Sequence, residues 1–111
     1  MYDQLEVVSF YAVERLWSWL EIHHSTHPGI WVKLQKTSSG VPSVSFHELL
    51  EAGIAYGWSE SSRRAYDSQS YLQKFAPRRA RGTASGRNLA IADRLESEGR
   101  MKSAGRRALG R

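Results

Sequence analysis

An α+β fold is predicted for this chain, with a small antiparallel sheet of about three strands packed against three or four helices. Two observations predict it. Segments with apolar residues three and four positions apart, typical of helices, are interspersed with short segments in which apolar and polar residues alternate, typical of strands. With 111 residues, 41% of them hydrophobic, the chain is long enough to bury one modest core.

Three segments carry the helical pattern. The first covers residues 11–24, and Pro28 prevents it from continuing. The second, residues 45–57, begins with Ser45 followed three residues later by a glutamate, which is the capping-box pattern. The third covers residues 87–98, where a glycine follows as a helix stop.

Strands are predicted at residues 29–36, 58–66 and 70–76, and residues 5–10 could form a further short strand. In the first of these strands, alternation places Trp31 on the face that does not enter the core. The other two are expected to form a hairpin. Antiparallel pairing would then bring its two ends together, namely Gly57-Trp58 and Pro77-Arg78-Arg79.

Charge is distributed unevenly along the chain. Residues 1–60 contain three basic and seven acidic residues, a net charge of −4, whereas residues 61–111 contain thirteen basic and four acidic residues, a net charge of +9. The basic half favours an anionic partner such as nucleic acid, a phosphorylated small molecule or a membrane surface. The alternative is that these charges solubilise the protein and pair with the acidic half.

Several classes of protein are disfavoured by composition. The chain has no cysteine, so disulfides, cysteine–zinc sites and thiol catalysis are excluded. It has no apolar run long enough to span a bilayer and no secretory signal at its acidic start, which predicts a cytoplasmic protein. His23, His24 and His27 lack a metal-site pattern, and neither a metal nor a cofactor is expected.

Aromatic and basic residues are mixed between Tyr56 and Arg81, and Trp31 lies near Lys33 and Lys36. Arginine grips phosphate or carboxylate with two N–H groups, and tryptophan stacks on bases. We therefore predict a non-enzymatic binding module with a cationic, aromatic-lined groove for an anionic ligand. The residues predicted to line it are Trp31, Lys33, Lys36, Trp58, Arg63, Arg78, Arg79 and Asn88.

Two alternatives remain open at this point. The protein could be a small enzyme acting on an anionic metabolite, with Glu51 or His47 as the base and Arg78 or Arg79 holding the anion, although the sequence lacks a nucleophile–base pair, a phosphate-binding glycine loop or a metal set. Alternatively, the arginines could be structural, pairing with carboxylates, and the partner could be a protein. In that case Arg63, Arg78 and Arg79 would pair with Glu48, Glu51, Glu60 or Asp67.

Several short motifs occur in one order along the chain. They are Gly29-Ile30-Trp31-Val32-Lys33-Leu34-Gln35-Lys36, Glu48-Leu49-Leu50-Glu51-Ala52, Tyr56-Gly57-Trp58, Tyr71-Leu72-Gln73-Lys74-Phe75-Ala76-Pro77-Arg78-Arg79, Asn88, and Glu98-Gly99-Arg100-Met101 with Ala104-Gly105. The set, over residues 10–106, resembles the bacterial YdeI/OmpD-associated, or bacteriocin-protection, family.

The resemblance implies a small cytosolic bacterial protein linked to tolerance of cationic antimicrobial peptides and to an outer-membrane porin. It implies no catalytic mechanism. It also suggests one domain, residues 1–106. The residues 107–111 that follow are a short basic tail, which is expected to fray as chain ends do. The sequence departs from the family at Ser59-Glu60, where an apolar residue and aspartate are usual, and at Ala84, where tryptophan is usual.

Overall fold

The computed structural model describes residues 5–78 and 85–111. Within these ranges the chain forms four strands, four α-helices and one short 3-10 helix, Thr37–Ser39. In chain order the strands and α-helices are β1 (Val7–Ser9), α1 (Val13–His23), β2 (Ile30–Gln35), α2 (Phe46–Tyr56), β3 (Trp58–Ala65), β4 (Ser70–Pro77), α3 (Gly86–Ser97) and α4 (Ser103–Ala108). The predicted α+β fold is confirmed.

The strands form one sheet in the order β1-β2-β4-β3. β2 and β3 each pair antiparallel with the central strand β4, while β1 runs parallel to β2. The prediction of about three antiparallel strands is therefore wrong in number and in orientation. β1 lies within residues 5–10, where a further short strand was predicted, but its parallel pairing was not, because that depends on the crossover through helix α1 that connects it to β2.

The hydrophobic core lies between the helices and one face of the sheet. β2 contributes Ile30, Val32 and Leu34, none more than 1% exposed, as the predicted alternation requires. They belong to one core cluster with Leu16 and Leu20 of α1 and further apolar residues of α2 and α3. The described helices therefore cover one face of the sheet.

Helix α2 lies at the centre of the helical layer and contacts the other three helices. It begins at the predicted capping box, in which Ser45 Oγ accepts from the Glu48 N–H at 3.1 Å and the Glu48 carboxylate accepts from the Ser45 N–H at 2.9 Å. Helix α4 packs closely on α2 at Gly105, where a Cβ would collide with the backbone oxygens of Ile54 and Ala55. Only glycine permits this approach.

Residues 107–111 are packed on the domain, in contrast to the fraying tail that was predicted. Leu109 is 8% exposed and belongs to the core cluster. Arg111 donates a hydrogen bond to the Asp93 carboxylate at 2.7 Å. The chain end thus closes the helical layer.

The predicted hairpin is present. β3 begins opposite the end of β4, with Trp58 paired to Pro77, and the Arg78 N–H donates to the Gly57 carbonyl at 2.8 Å. Its two ends therefore meet as expected, although Arg79 lies outside the described residues. One feature was not predicted, a β-bulge between Glu60 and Arg63 that shifts the register of β3.

Candidate binding site on the uncovered face of the sheet

The sheet face opposite the core carries aromatic and basic side chains. Along β2 and β4 the residues that alternate with the core positions are Trp31, Lys33, Leu72 and Lys74, and beyond the bulge in β3 it is Arg64. Trp31 and Leu72 are buried but stand outside the core cluster. We call this surface the uncovered face, because the described helices pack on the other side.

One row of paired residues crosses the centre of the uncovered face. Lys33 of β2 pairs with Leu72 of β4, which pairs with Arg64 of β3. From this row the two cationic side chains cross β4 in opposite directions. The Arg64 guanidinium carbon lies 4.5 Å from the centre of the Trp31 ring, and Lys33 Nζ lies 4.6 Å from the centre of the Tyr66 ring.

Two apolar residues of this face are buried outside the core. Trp31 is 4% exposed and Leu72 is 5% exposed, although neither belongs to the core cluster. Arg64 pairs with Leu72 across the sheet and its guanidinium lies over the indole, an arrangement in which the methylenes of an arginine cover apolar surface while the charge stays near water. Tyr66 remains 53% exposed. The face is thus covered largely by charged side chains.

The turn of the hairpin forms one end of the uncovered face. There Asp67 accepts hydrogen bonds from the Ser70 hydroxyl at 2.7 Å and the Gln69 N–H at 2.8 Å, and Lys36 Nζ donates to the Ser68 carbonyl at 3.3 Å. The Ser70 hydroxyl, the Gln69 N–H and the charge of Lys33 lower the pKa of Asp67. This carboxylate is therefore ionised at neutral pH and offsets part of the positive charge at this end.

The other end of the uncovered face contains a hollow. A cavity of about 390 Å³ lies beside Lys74 and is lined by Ser59, Ser61, Lys74, Ala76 and Pro77. Its volume is within the range of small-ligand pockets. The central pairs therefore lie between a cationic hollow and an acidic turn.

The structure brings together only part of the predicted groove. Trp31 and Lys33 lie on the uncovered face, and Lys36 lies at its turn end. Trp58 lies in the core on the opposite face, 1% exposed, with its indole N–H donating to the His24 carbonyl at 3.1 Å. It cannot line a surface groove in this conformation.

The other predicted groove residues lie apart from the uncovered face. Arg63 is on the helix side, where its guanidinium lies 4.5 Å from the Tyr71 ring and its Nε–H donates to Gln73 at 3.3 Å. Asn88 is in the first turn of α3, 8% exposed, and accepts from the Arg87 Nε–H at 3.2 Å. Arg78 is half-buried at the end of the hairpin, and Arg79 lies outside the described residues.

Sequence reasoning missed Arg64, Tyr66 and Lys74. Strict alternation from Trp58 places Arg64 on the core side and Arg63 on the opposite side. The bulge between Glu60 and Arg63 reverses this assignment, so that Arg64 lies on the uncovered face and Arg63 on the helix side. Lys74 could have been found, because it alternates with the core residue Phe75 and pairs with Trp31.

The carboxylates considered for catalysis or structural pairing are engaged elsewhere. His47 Nε2 lies 2.8 Å from Glu51, and Glu51 also accepts a hydrogen bond from Arg94. Arg94 of the basic half is thus tied to the acidic half, and so is Arg87, 3.8 Å from Glu60. These are not the arginines that were predicted to pair.

Much of the remaining positive charge of the basic half is also paired. Arg106 makes hydrogen bonds of 2.9–3.1 Å to Glu96, and these bonds raise the pKa of Arg106 and lower that of Glu96. Arg111 pairs with Asp93 at 2.7 Å and Arg100 with Glu98 at 3.1 Å. The charge of +9 read from the sequence is therefore no measure of the charge open to a ligand.

A second hollow lies between α1 and the segment joining α3 to α4. It has a volume of about 440 Å³ and is lined by Trp17, Ser18, Glu21, Ile22, Tyr56 and Lys102. The Tyr56 hydroxyl donates to Glu21 at 2.6 Å, and burial together with this carboxylate raises the pKa of Tyr56. The phenol therefore stays protonated, and the pair fixes α1 to α2.

The histidines of the first helix pack with aromatic rings. Trp19 lies 4.8 Å from His23 and 5.0 Å from His27, ring centre to ring centre, and His24 Nδ1 lies 2.8 Å from the Leu20 carbonyl. Within residues 5–78 and 85–111, no three histidine or carboxylate side chains are arranged to hold a metal ion. No helix in those same ranges has the length and apolar character needed to cross a bilayer.

Comparison with known proteins places the chain in a family. No curated protein and no solved structure matches the chain. The resemblance to the YdeI/OmpD-associated family therefore stays a prediction. A family model described as a domain of unknown function, DUF8412, matches residues 8–108, which is nearly the whole chain. The protein belongs to the DUF8412 family.

Proposed function

We propose that the protein is a non-enzymatic binding module and that the uncovered face receives an anionic ligand. The observation that carries this proposal is the pair of cations, Arg64 and Lys33, that cross β4 to lie over Trp31 and Tyr66. They supply positive charge and stacking surface in one place.

The cations of the uncovered face differ from those of the helical layer in their partners. Among the described residues, no carboxylate lies within ion-pair distance of Arg64 or Lys33, whereas Arg94 and Arg106 are held by glutamates. A cation over a ring gains about 0.5–1 kcal/mol where the contact is exposed, as at Tyr66, and about 2 kcal/mol where the ring is desolvated, as at Trp31. An arginine that stacks on a ring can also keep N–H groups for phosphate or carboxylate. Both cations therefore keep the capacity to bind an anion.

Binding of an inorganic polyphosphate chain, measured by calorimetry at low and high salt, tests the proposal. The double variant Lys33→Ala/Arg64→Ala should bind at least about tenfold more weakly than the unaltered protein, and binding should fall as salt rises. The control is Arg15→Ala/Lys102→Ala, which removes the same charge from the helix side. Equal losses in both variants, or affinity that ignores salt, would refute a site on the uncovered face.

A structural role is favoured for a different set of arginines. Arg94 and Glu51 connect α3 to α2, and Arg106 and Glu96 connect α4 to α3. These pairs support the reading in which part of the basic half stabilises the fold. They do not involve Arg64 or Lys33, so one protein can use some cations to stabilise the fold and others to bind an anion.

We also propose that the protein acts in the cytoplasm. Nucleic acids and phosphorylated metabolites are abundant there, and the absence of cysteine fits a reducing compartment. The alternative of a small enzyme has no specific support, because Glu51, its proposed base, is already engaged by Arg94 and His47.

A further inference from the structure

We infer that the anionic ligand of the uncovered face is a single-stranded nucleic acid, with bases stacked on Trp31 and Tyr66 and phosphates held by Arg64 and Lys33. This inference rests on the proposed function, since it names the ligand of the same face. It requires an extended ligand, flat groups that can stack, and an exchange of the present cation–aromatic contacts.

The separation of the two rings requires an extended ligand. Trp31 pairs with Lys74, whereas Tyr66 follows Ala65, which pairs with Tyr71. The two ring-bearing positions are thus two strands apart across the sheet and four residues apart along it. Strand spacing and rise place them about 16 Å from each other. A single phosphate or a small phosphorylated metabolite cannot engage both, whereas a chain of several nucleotides can.

The existing contacts are ones that a nucleotide can replace. Arg64 is exposed and lies over Trp31, and Tyr66 is 53% exposed beneath Lys33. Stacking of a base on an aromatic side chain is comparable in strength to a cation–aromatic contact and covers the same ring surface. A base can therefore displace the guanidinium from the indole, and the released guanidinium is then placed to bind the adjacent phosphate. Ring and cation are both used in the complex.

The shape of the face favours unpaired bases over a duplex. Proteins read duplex DNA by inserting a helix or a two-stranded ribbon into a groove, whereas aromatic side chains on a sheet surface stack with splayed, single-stranded bases. Here the rings lie across an open sheet face, and the described helices pack on its other side.

The two ends of the uncovered face differ in charge and shape, and this difference predicts the direction in which the ligand lies. The ionised Asp67 at the hairpin turn repels phosphates, whereas the 390 Å³ cavity beside Lys74 adjoins Trp31 in the register. The next nucleotide beyond Trp31 is therefore expected at this cavity rather than at the turn. A strand bound in this way crosses the sheet diagonally from the cavity to Tyr66.

Fluorescence anisotropy with three labelled probes of about ten nucleotides tests the inference. The probes are a single-stranded oligothymidylate, an abasic strand with the same number of phosphates, and a duplex. The single strand should bind at least about tenfold tighter than the abasic strand, because the abasic strand keeps the charges and loses the stacking. The duplex should bind no better than the abasic strand.

The Tyr66→Ser variant isolates the stacking contact. It should weaken oligothymidylate binding about tenfold and leave abasic-strand binding nearly unchanged. Tyr11→Ser is the matched control, because Tyr11 is 63% exposed and lies outside the uncovered face. Thermal unfolding of both variants shows whether they remain folded.

The outcomes separate this inference from the proposed function. If oligothymidylate, the abasic strand and polyphosphate bind equally well, the nucleic-acid inference is wrong while the anion-binding function stands. Tighter binding of the duplex, or equal effects of Tyr66→Ser on both single strands, would also overturn the inference. If none of the probes binds, both the inference and the proposed function fail.

Discussion

Two tryptophans on opposite faces of one sheet are almost inaccessible to water, for different reasons. Trp58 is 1% exposed because it packs in the core against Trp19 and Phe75 and hydrogen-bonds to a backbone carbonyl. Trp31 is 4% exposed outside the core cluster, between β1 and β4, with the Arg64 guanidinium over its ring. Low exposure alone therefore does not distinguish a core residue from one that a charged side chain covers on the other face of the sheet.

The difference shows how each face of the sheet can change. On the helix side, moving any one side chain leaves a void that its packed neighbours cannot fill. On the uncovered face, the exposed Arg64 can turn away from the indole into water at a cost of about 0.5–2 kcal/mol, without leaving a closed void. The first face is suited to stability and the second to exchange of contacts with a ligand.

The largest expected effect comes from removing each of the two tryptophans in turn. Trp58→Ala should lower the free energy of unfolding by about 3–5 kcal/mol, because it opens a cavity in the core. Trp31→Ala should cost only about 1–2 kcal/mol, because it removes apolar contact without emptying a closed core. Urea denaturation measures both values. Equal losses would show that Trp31 is a core residue after all.

A second comparison, between two glycine substitutions, tests the packing of α4 on α2. Gly105→Ala should lower the free energy of unfolding by about 1–3 kcal/mol, because the new Cβ meets the backbone of α2 and must push α4 away. The matched control is Gly86→Ala at the start of α3, where an added Cβ meets no atom within 4 Å. Thermal unfolding should show loss only for the first variant, and a loss in Gly86→Ala would contradict the packing described.

Local patterns sufficed to predict much of the fold. The alternation of Ile30, Val32 and Leu34, the capping box at Ser45 and the stop at Pro77 are each written in a few neighbouring residues. These signals act within one element, so no tertiary information is needed to read them. The parallel pairing of β1 lacks such a local signal, since it depends on the path of α1 between β1 and β2.

The candidate site was predicted less completely because its geometry depends on a register. Trp31 and Lys33 were assigned to the correct face by alternation within one strand. In β3 the bulge puts Arg64, and not the predicted Arg63, on the uncovered face, and a bulge is invisible in the pattern of an exposed, polar strand. Which arginines pair with carboxylates depends on contacts between α2, α3 and α4, and spacing along the chain does not reveal these.

The strength of the cover over Trp31 can be measured directly. A double-mutant cycle with Arg64→Leu and Trp31→Leu should give a coupling energy of about 0.5–2 kcal/mol, because Arg64 is exposed while the indole is buried. Urea denaturation of the four proteins supplies the values. A coupling well above that range would mean that Arg64 is fixed over the indole, and the proposed exchange with a ligand would then be too costly.

The smallest expected effect concerns two carboxylates, one in the helical layer and one beside the uncovered face. Hydrogen bonds from Arg106 hold the pKa of Glu96 below its ordinary value of 4.5, and those from Ser70 and Gln69 hold the pKa of Asp67 below 3.8. Because both pKa values are lower in the folded state, both groups stabilise the protein fully above their unfolded values. That stabilisation is lost as the pH falls through the folded pKa values.

The two carboxylates differ in their partners, and salt should therefore separate them. Glu96 bonds to a charged guanidinium, whereas Asp67 bonds chiefly to a neutral hydroxyl and a backbone N–H. Added salt should reduce the stability difference between the unaltered protein and Glu96→Gln at neutral pH, and should leave the difference for Asp67→Asn nearly constant. Urea denaturation at neutral and acidic pH, at low and high salt, measures both. If salt affected both variants alike, the charge of Lys33 would contribute more to Asp67 than its turn does, and the positive field of the uncovered face would be stronger than its contacts indicate.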